Sequence, residues 1–243
     1  MTTIRQQVCV LHVRAWRETS LLLECLTADH GRVGLLARGA RGPRARVARA
    51  VLEPFQSLVV EYRGRGELAT LTAVEPVGPP RFLAGTQLLS GLYLNELLVR
   101  LLPRFDHQPG LLARYEATLD ALQSAADLAW TLRRFERDLL AVMGYGIELD
   151  IDADSGAPLD PVQEYTLVAE HGLRLWRGQP GLHVTGAALL DFAADRQPGS
   201  AAMPGLRRLL RAQIGALVGE RGLESWRVLD AALKAGRHAA SAG

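Results

Sequence analysis

Along residues 1–76 the apolar positions come in short runs broken by turn residues, the spacing expected of strands. Residues 8–13 and 20–27 are rich in β-branched side chains and leucine, and Asp29-His30-Gly31 supplies a turn into a third run at 32–37. A segment rich in Arg, Gly and Pro follows at 38–49, too polar for a core strand. Residues 57–63 and 67–75 then flank Gly64-Arg65-Gly66, a hairpin signal. In the last run Leu68, Thr70, Thr72 and Val74 alternate with Glu67, Ala69, Leu71, Ala73 and Glu75, the period of a pleated strand. Five short strands in about 70 residues, with one long connection between the third and fourth, suit a small closed barrel of the oligonucleotide-binding (OB) type. An SH3-like barrel is the competing architecture.

The period changes after Gly78-Pro79-Pro80. Leu88, Leu92, Leu94, Leu97, Leu98 and Leu101 form a broad helical stripe that stops at Pro103, and Leu111, Leu112, Tyr115, Leu119 and Leu122 form a second. Leu128, Leu132, Phe135, Leu139 and Met143 make a third seam, and Gly144 stands where a helix-ending glycine belongs. The acidic stretch 146–161 predicts a loop, and 164–169 with 173–177 predict a small hairpin around His171-Gly172. Two closing helices are expected at 206–218 and 223–234. The expectation is an α+β chain. An OB-fold barrel covers 1–78, and a mainly α-helical C-terminal domain covers 79–236 with an acidic loop and β-hairpin insert at 144–185. A flexible tail follows at 237–243.

Composition narrows the class. With 48% hydrophobic and 22% charged residues the chain is ordinary globular material, with no apolar run of about 18 residues for a membrane span. Residues 1–7 are polar and lack the apolar stretch of a signal peptide, so a cytoplasmic protein is expected. Cys9 and Cys25 lie in apolar runs and read as core residues. The net charge of +2 hides an asymmetry: residues 1–76 hold eleven Arg against seven acids. Within it, residues 31–50 carry Arg32, Arg38, Arg41, Arg44, Arg46 and Arg49 and no acid, whereas 144–173 carry seven acids and no Arg or Lys.

Signatures of catalysis are missing from the sequence. The one lysine, Lys234, follows no glycine loop, and neither G-x-G-x-x-G, G-x-S-x-G nor H-E-x-x-H occurs. Asp150, Asp152 and Asp154 before Gly156 resemble the start of a calcium loop, but Ser155 and Pro161 stand where that loop needs glycine and glutamate. No enzyme activity, cofactor or metal is therefore expected. Nucleic-acid binding fits better: arginines track phosphates, and aromatic faces receive unstacked bases. The candidates are Arg14, Trp16, Arg32, Arg38, Arg41, Arg44, Arg46, Arg49, Phe55, Tyr62, Arg63 and Arg65. Three other readings stay open. One is an OB-fold RNA-binding or transcription-associated factor; another is a metal-dependent hydrolase using the 150–154 acids. The third is a structural adaptor whose basic segment meets a protein.

The run Val10-Leu11-His12-Val13-Arg14-Ala15-Trp16-Arg17-Glu18-Thr19-Ser20-Leu21 resembles the opening of the RecO family of DNA-repair proteins. So do Gly31-Arg32-Val33, Ala37-Arg38-Gly39-Ala40-Arg41, Pro54-Phe55 and Gly64-Arg65-Gly66-Glu67. Farther on, Gly91-Leu92-Tyr93-Leu94-Asn95-Glu96-Leu97-Leu98, Leu132-Arg133-Arg134-Phe135-Glu136 and Gly144-Tyr145-Gly146 continue the match in order. The resemblance implies an OB-fold joined to a helical domain, binding of single- and double-stranded DNA, and a non-enzymatic role as recombination mediator. That role comprises annealing complementary strands, including strands coated by single-stranded-DNA-binding protein (SSB), and helping RecR load recombinase in the RecF pathway. It further implies recognition of the acidic SSB C-terminal tail, for which Arg133 and Arg134 are the candidates by position, with an Arg134–Asp138 helix-surface ion pair as the plainer role for Arg134. A monomer in the cytoplasm, associated with the nucleoid, is expected. One departure stands out: many members carry a four-cysteine zinc site in the C-terminal domain, and this chain has no cysteine beyond Cys25.

Overall fold

Strands that must serve two neighbours at once are long, and the first strand here runs from Thr3 to Trp16. In the computed structural model, which describes residues 3–42, 49–64, 66–124, 127–168 and 171–228, this strand β1 (Thr3–Trp16) meets two partners. Its first half pairs with β4 (Ser57–Arg63) and its second half with β2 (Ser20–Thr27), both antiparallel. A bulge between Val10 and His12 interrupts the second ladder, the device that bends a strand from one side of a barrel to the other. β3 (Arg32–Ala37) pairs with β2, and β5 (Ala69–Pro76) pairs with β4. A short parallel match of Leu35 and Leu36 with Ala69 and Thr70 closes the ring in the order β1-β2-β3-β5-β4. This is the five-stranded OB-like barrel expected from the sequence, its ring closed by that short pairing.

The pleat decides what fills it. Val8 and Val10 of β1, Leu21, Leu23 and Cys25 of β2, Val33 and Leu35 of β3, and Leu58, Val60 and Tyr62 of β4 point inward at every second position. Burial pushes the Cys9 thiol up to about 12 and raises that of Cys25 as well, so both free cysteines sit as neutral core groups. At the β2–β3 turn Gly31 has φ +62°, and a Cβ there would fall 1.9 Å from the Asp106 carbonyl oxygen. Only glycine fits that approach.

Helix α1 (Gly85–Leu101) and α2 (Leu111–Gln123) belong to the same compact unit as the barrel, together with the segment that resumes at Gly222. Asn95 of α1 donates to the Leu11 carbonyl at 2.7 Å, and the Tyr115 hydroxyl of α2 donates to Asn95, fastening both helices to β1. Residues 224–228 are helical, and residues 229–234 of the expected closing helix and the 237–243 tail lie outside the described residues.

The second unit runs from Asp127 to Arg221. Asp127 caps α3 (Leu128–Val142) by accepting from the Trp130 amide. The helix ends as expected at Gly144, φ +80°, with the Tyr145 amide returning to the Leu140 carbonyl. The acidic stretch is irregular but anchored by buried Leu149 and Leu159, and its Asp154 pairs with Arg174 at 2.6 Å. The expected hairpin is β6 (Glu164–Val168) with β7 (Gly172–Leu175), and a short β8 (Val184–Thr185) adds to β6. Next comes α4 (Gly186–Ala193), a helix the periodicity does not announce, and then α5 (Met203–Val218).

Candidate nucleic-acid interface

The β1–β2 hairpin narrows to a tip of Arg17-Glu18-Thr19, where Arg17 takes the left-handed φ of +52°. The turn that leaves β3 at Arg38 is stitched to this tip by Arg41, whose amide donates to the Thr19 carbonyl at 2.8 Å. Its guanidinium also reaches the Arg17 carbonyl at 3.4 Å. The consequence is a concentration of charge. Arg14, Arg17, Arg38 and Arg41 are all exposed around one end of the barrel, and none has an acidic partner among the described residues. Arg49 joins them, held loosely at 3.9 Å from Glu53 in an exposed pair that contributes little. Arg14 lies over the Trp16 ring at 5.6 Å, and Trp16 is 37% exposed. A guanidinium stacked beside an open indole offers a base both a charge and a flat face.

Other candidates from the sequence are placed differently. Arg32 sits nearly buried, with Glu24 at 2.8 Å and the Leu102 carbonyl at 3.0 Å, and Arg104 shares the same Glu24 carboxylate. It is a structural cation, not an open phosphate ligand. Tyr62 is 2% exposed, points into the barrel with Leu58 and Val60, and its hydroxyl meets Gln6 and His30 Nδ1. Phe55, 6% exposed, takes a φ of +72° that turns its ring against Gly91. Neither ring is open to a base, so both expectations are corrected by burial. Arg63 is exposed but stands at the far end of β1 from the hairpin tip, bonded to Thr3 at 2.9 Å. Arg44, Arg46 and Arg65 lie outside the described residues. Arg17, absent from the expected set, belongs to the cluster; its place beside Trp16 at a hairpin tip is the signal in the sequence that points to it.

In the second unit Arg133 is buried, 7% exposed, in an ion pair with Glu136. That burial removes it from any peptide-binding role. Arg134 is half-exposed over the Trp130 ring, and its partner is Asp195, not a helix neighbour, with Nε at 2.8 Å from the carboxylate. Arg137 bonds the same carboxylate at 2.8 Å. These hydrogen bonds, Arg134's first, hold the Asp195 carboxyl below the usual carboxylate range. Among the described residues no cluster of three His, Cys, Asp or Glu groups is placed to hold a metal ion, and no helix is long and apolar enough to cross a membrane.

Known proteins share this sequence across both units. The family model for the recombination protein O N terminal matches residues 1–80, and that for its C terminal matches residues 84–175. The DNA repair protein RecO of Xanthomonas oryzae pv. oryzae (strain PXO99A) is 47% identical over 226 residues, covering 91% of this chain and 94% of its own. The chain belongs to the RecO family. RecO proteins of Xanthomonas campestris pv. campestris (strain B100) and Stenotrophomonas maltophilia (strain K279a) are 46% and 45% identical, again over 91% of this chain. A role in DNA repair and recombination follows from membership in the RecO family.

Proposed function

We propose that this chain binds single-stranded DNA across the hairpin end of its barrel and acts without chemistry of its own, annealing complementary strands. The observation that carries this reading is the set of exposed arginines Arg14, Arg17, Arg38 and Arg41, gathered at one end with no acidic partner among the described residues. Annealing needs phosphate repulsion to be neutralised and bases left free to pair, and arginines on a small barrel do the first without blocking the second. Arginine contacts of this kind supply affinity, not sequence choice. A role on SSB-coated strands and in helping RecR load recombinase belongs to the same proposal. In the second unit, Arg134 is the candidate for the acidic SSB tail: it is half-exposed, stacked on Trp130, and its Asp195 partner is a carboxylate that a tail carboxylate could replace.

The test is fluorescence anisotropy with a labelled single strand across a salt series, alongside annealing of SSB-coated complementary oligonucleotides. The Arg14→Ala, Arg38→Ala, Arg41→Ala variant is expected to bind about 30-fold more weakly. Its log–log salt slope should be shallower by about two, roughly 0.7 for each phosphate no longer neutralised. Annealing should fall with it. Unchanged affinity and slope would reject the interface.

A further inference from the structure

Beside the arginine cluster the barrel unit carries a cleft of about 220 Å³. Its charged wall is Arg14, Arg41 and Arg49, with Glu53 set against Arg49; its apolar wall includes Pro54 and Leu92. Leu92 projects from α1 and is 43% exposed, an apolar side chain left in water at the rim of a cationic site. The cleft is smaller than the roughly 300 Å³ at which drug-sized ligand pockets begin, so it suits a fragment no larger than a ring or two. An occupant must be flat or compact, apolar on one side, and joined to negative charge. A nucleobase on its phosphate chain meets all three conditions.

Resting on the single-stranded-DNA reading above, we propose that this cleft receives one unstacked base of the bound strand. The base lies against Leu92 and Pro54, while Arg14 and Arg41 hold the flanking phosphates. Glu53 does not oppose this, because its carboxylate already faces Arg49 and two guanidinium groups on the wall remain without an acid among the described residues. The site would thus read the presence of a base, which phosphate contacts alone cannot do.

The experiment compares a 15-mer deoxycytidine strand with the same backbone carrying abasic residues, on wild type, Leu92→Ala and the Arg14→Ala, Arg41→Ala variant. Leu92→Ala is a surface helix substitution by the best helix former, so the fold is retained. Wild type is expected to prefer the strand with bases. Leu92→Ala should weaken binding of that strand about fivefold, the worth of partial burial of one leucine, and leave abasic binding unchanged. Equal loss on both strands, or loss on neither, overturns the base pocket. The arginine variant should lose affinity for both strands. If it loses none, the DNA interface itself fails, and with it the premise of the pocket.

Discussion

The arginines at the hairpin end of the barrel and those of α3 are the same residue type, yet they keep opposite company. Arg14, Arg17, Arg38 and Arg41 face solvent with no ion-paired acid among the described residues. Arg133, Arg134 and Arg137 are tied to Glu136 and Asp195 within their own unit. The first group keeps its charge available to a polyanion. The second uses its charge to hold α3 to the Asp195 turn, and a strand of DNA would have to break ion pairs to reach it. A basic run in a sequence therefore keeps its charge free only where the fold leaves it without ion-paired carboxylates. Arg32 makes the point within the barrel: six residues before Arg38, it is consumed by Glu24.

The largest effect expected is in the partnered group. Glu136 is almost fully buried, and Glu136→Ala leaves the Arg133 guanidinium in an apolar site without its counter-charge. Removing one member of such a pair costs about 3 kcal/mol. Urea unfolding should show the loss, while single-strand binding measured below the transition stays at the wild-type value. Wild-type stability in this variant would mean that the α3 arginines are freer than the contrast allows. Next is Glu24→Ala, which strips the shared acid from Arg32 and Arg104, both mostly buried. About 2 kcal/mol should be lost. DNA affinity should not fall with it, whereas the Arg14, Arg38 and Arg41 substitutions are expected to lower affinity and leave the melting temperature in place.

Much of this contrast is hidden in the sequence, for reasons that differ by residue. Strand period and turn chemistry carry the barrel, because β2, β3 and β4 each pack one face against the same core. The opening of β1 escapes the pattern since Thr3, Arg5 and Gln7 are polar, and its pairing with β4 depends on a register no local pattern states. Helix α4 is eight residues long and forms against β8, so tertiary packing and not propensity makes it. Tyr62 is legible in principle: it shares parity with Leu58 and Val60, and parity decides which side of a barrel a ring occupies. Partners of the arginines are not. Glu24 and Arg104, or Arg134 and Asp195, are joined only by the fold.

Asp195→Ala probes the contrast more gently. The substitution frees Arg134 and removes one of the groups around Arg137, which keeps Asp138 at 2.8 Å. About 1 kcal/mol of stability should go, since the Arg134 pair is half-exposed. Freed from its carboxylate, Arg134 should resemble the barrel arginines, and nonspecific DNA affinity should rise by up to about threefold at low salt. No rise would mean that position in the fold, beyond the lack of a partner, decides which arginines meet DNA.

The smallest effect is in pH. Asp195 is held below the usual carboxylate range by Arg134 and Arg137, so the folded state binds its proton less readily than the unfolded chain. Such a group stabilises the fold fully above its unfolded value, near 3.9, and loses that contribution as pH falls through the lower folded value. The wild-type melting temperature should therefore decline slightly below about pH 4, and Asp195→Asn should flatten that part of the decline. The arginines at the hairpin end have no carboxylate to titrate against among the described residues. Mutating Arg14, Arg38 and Arg41 should leave the acid limb unaltered, so a changed limb in that variant would expose an acidic partner and undo the distinction between the two groups.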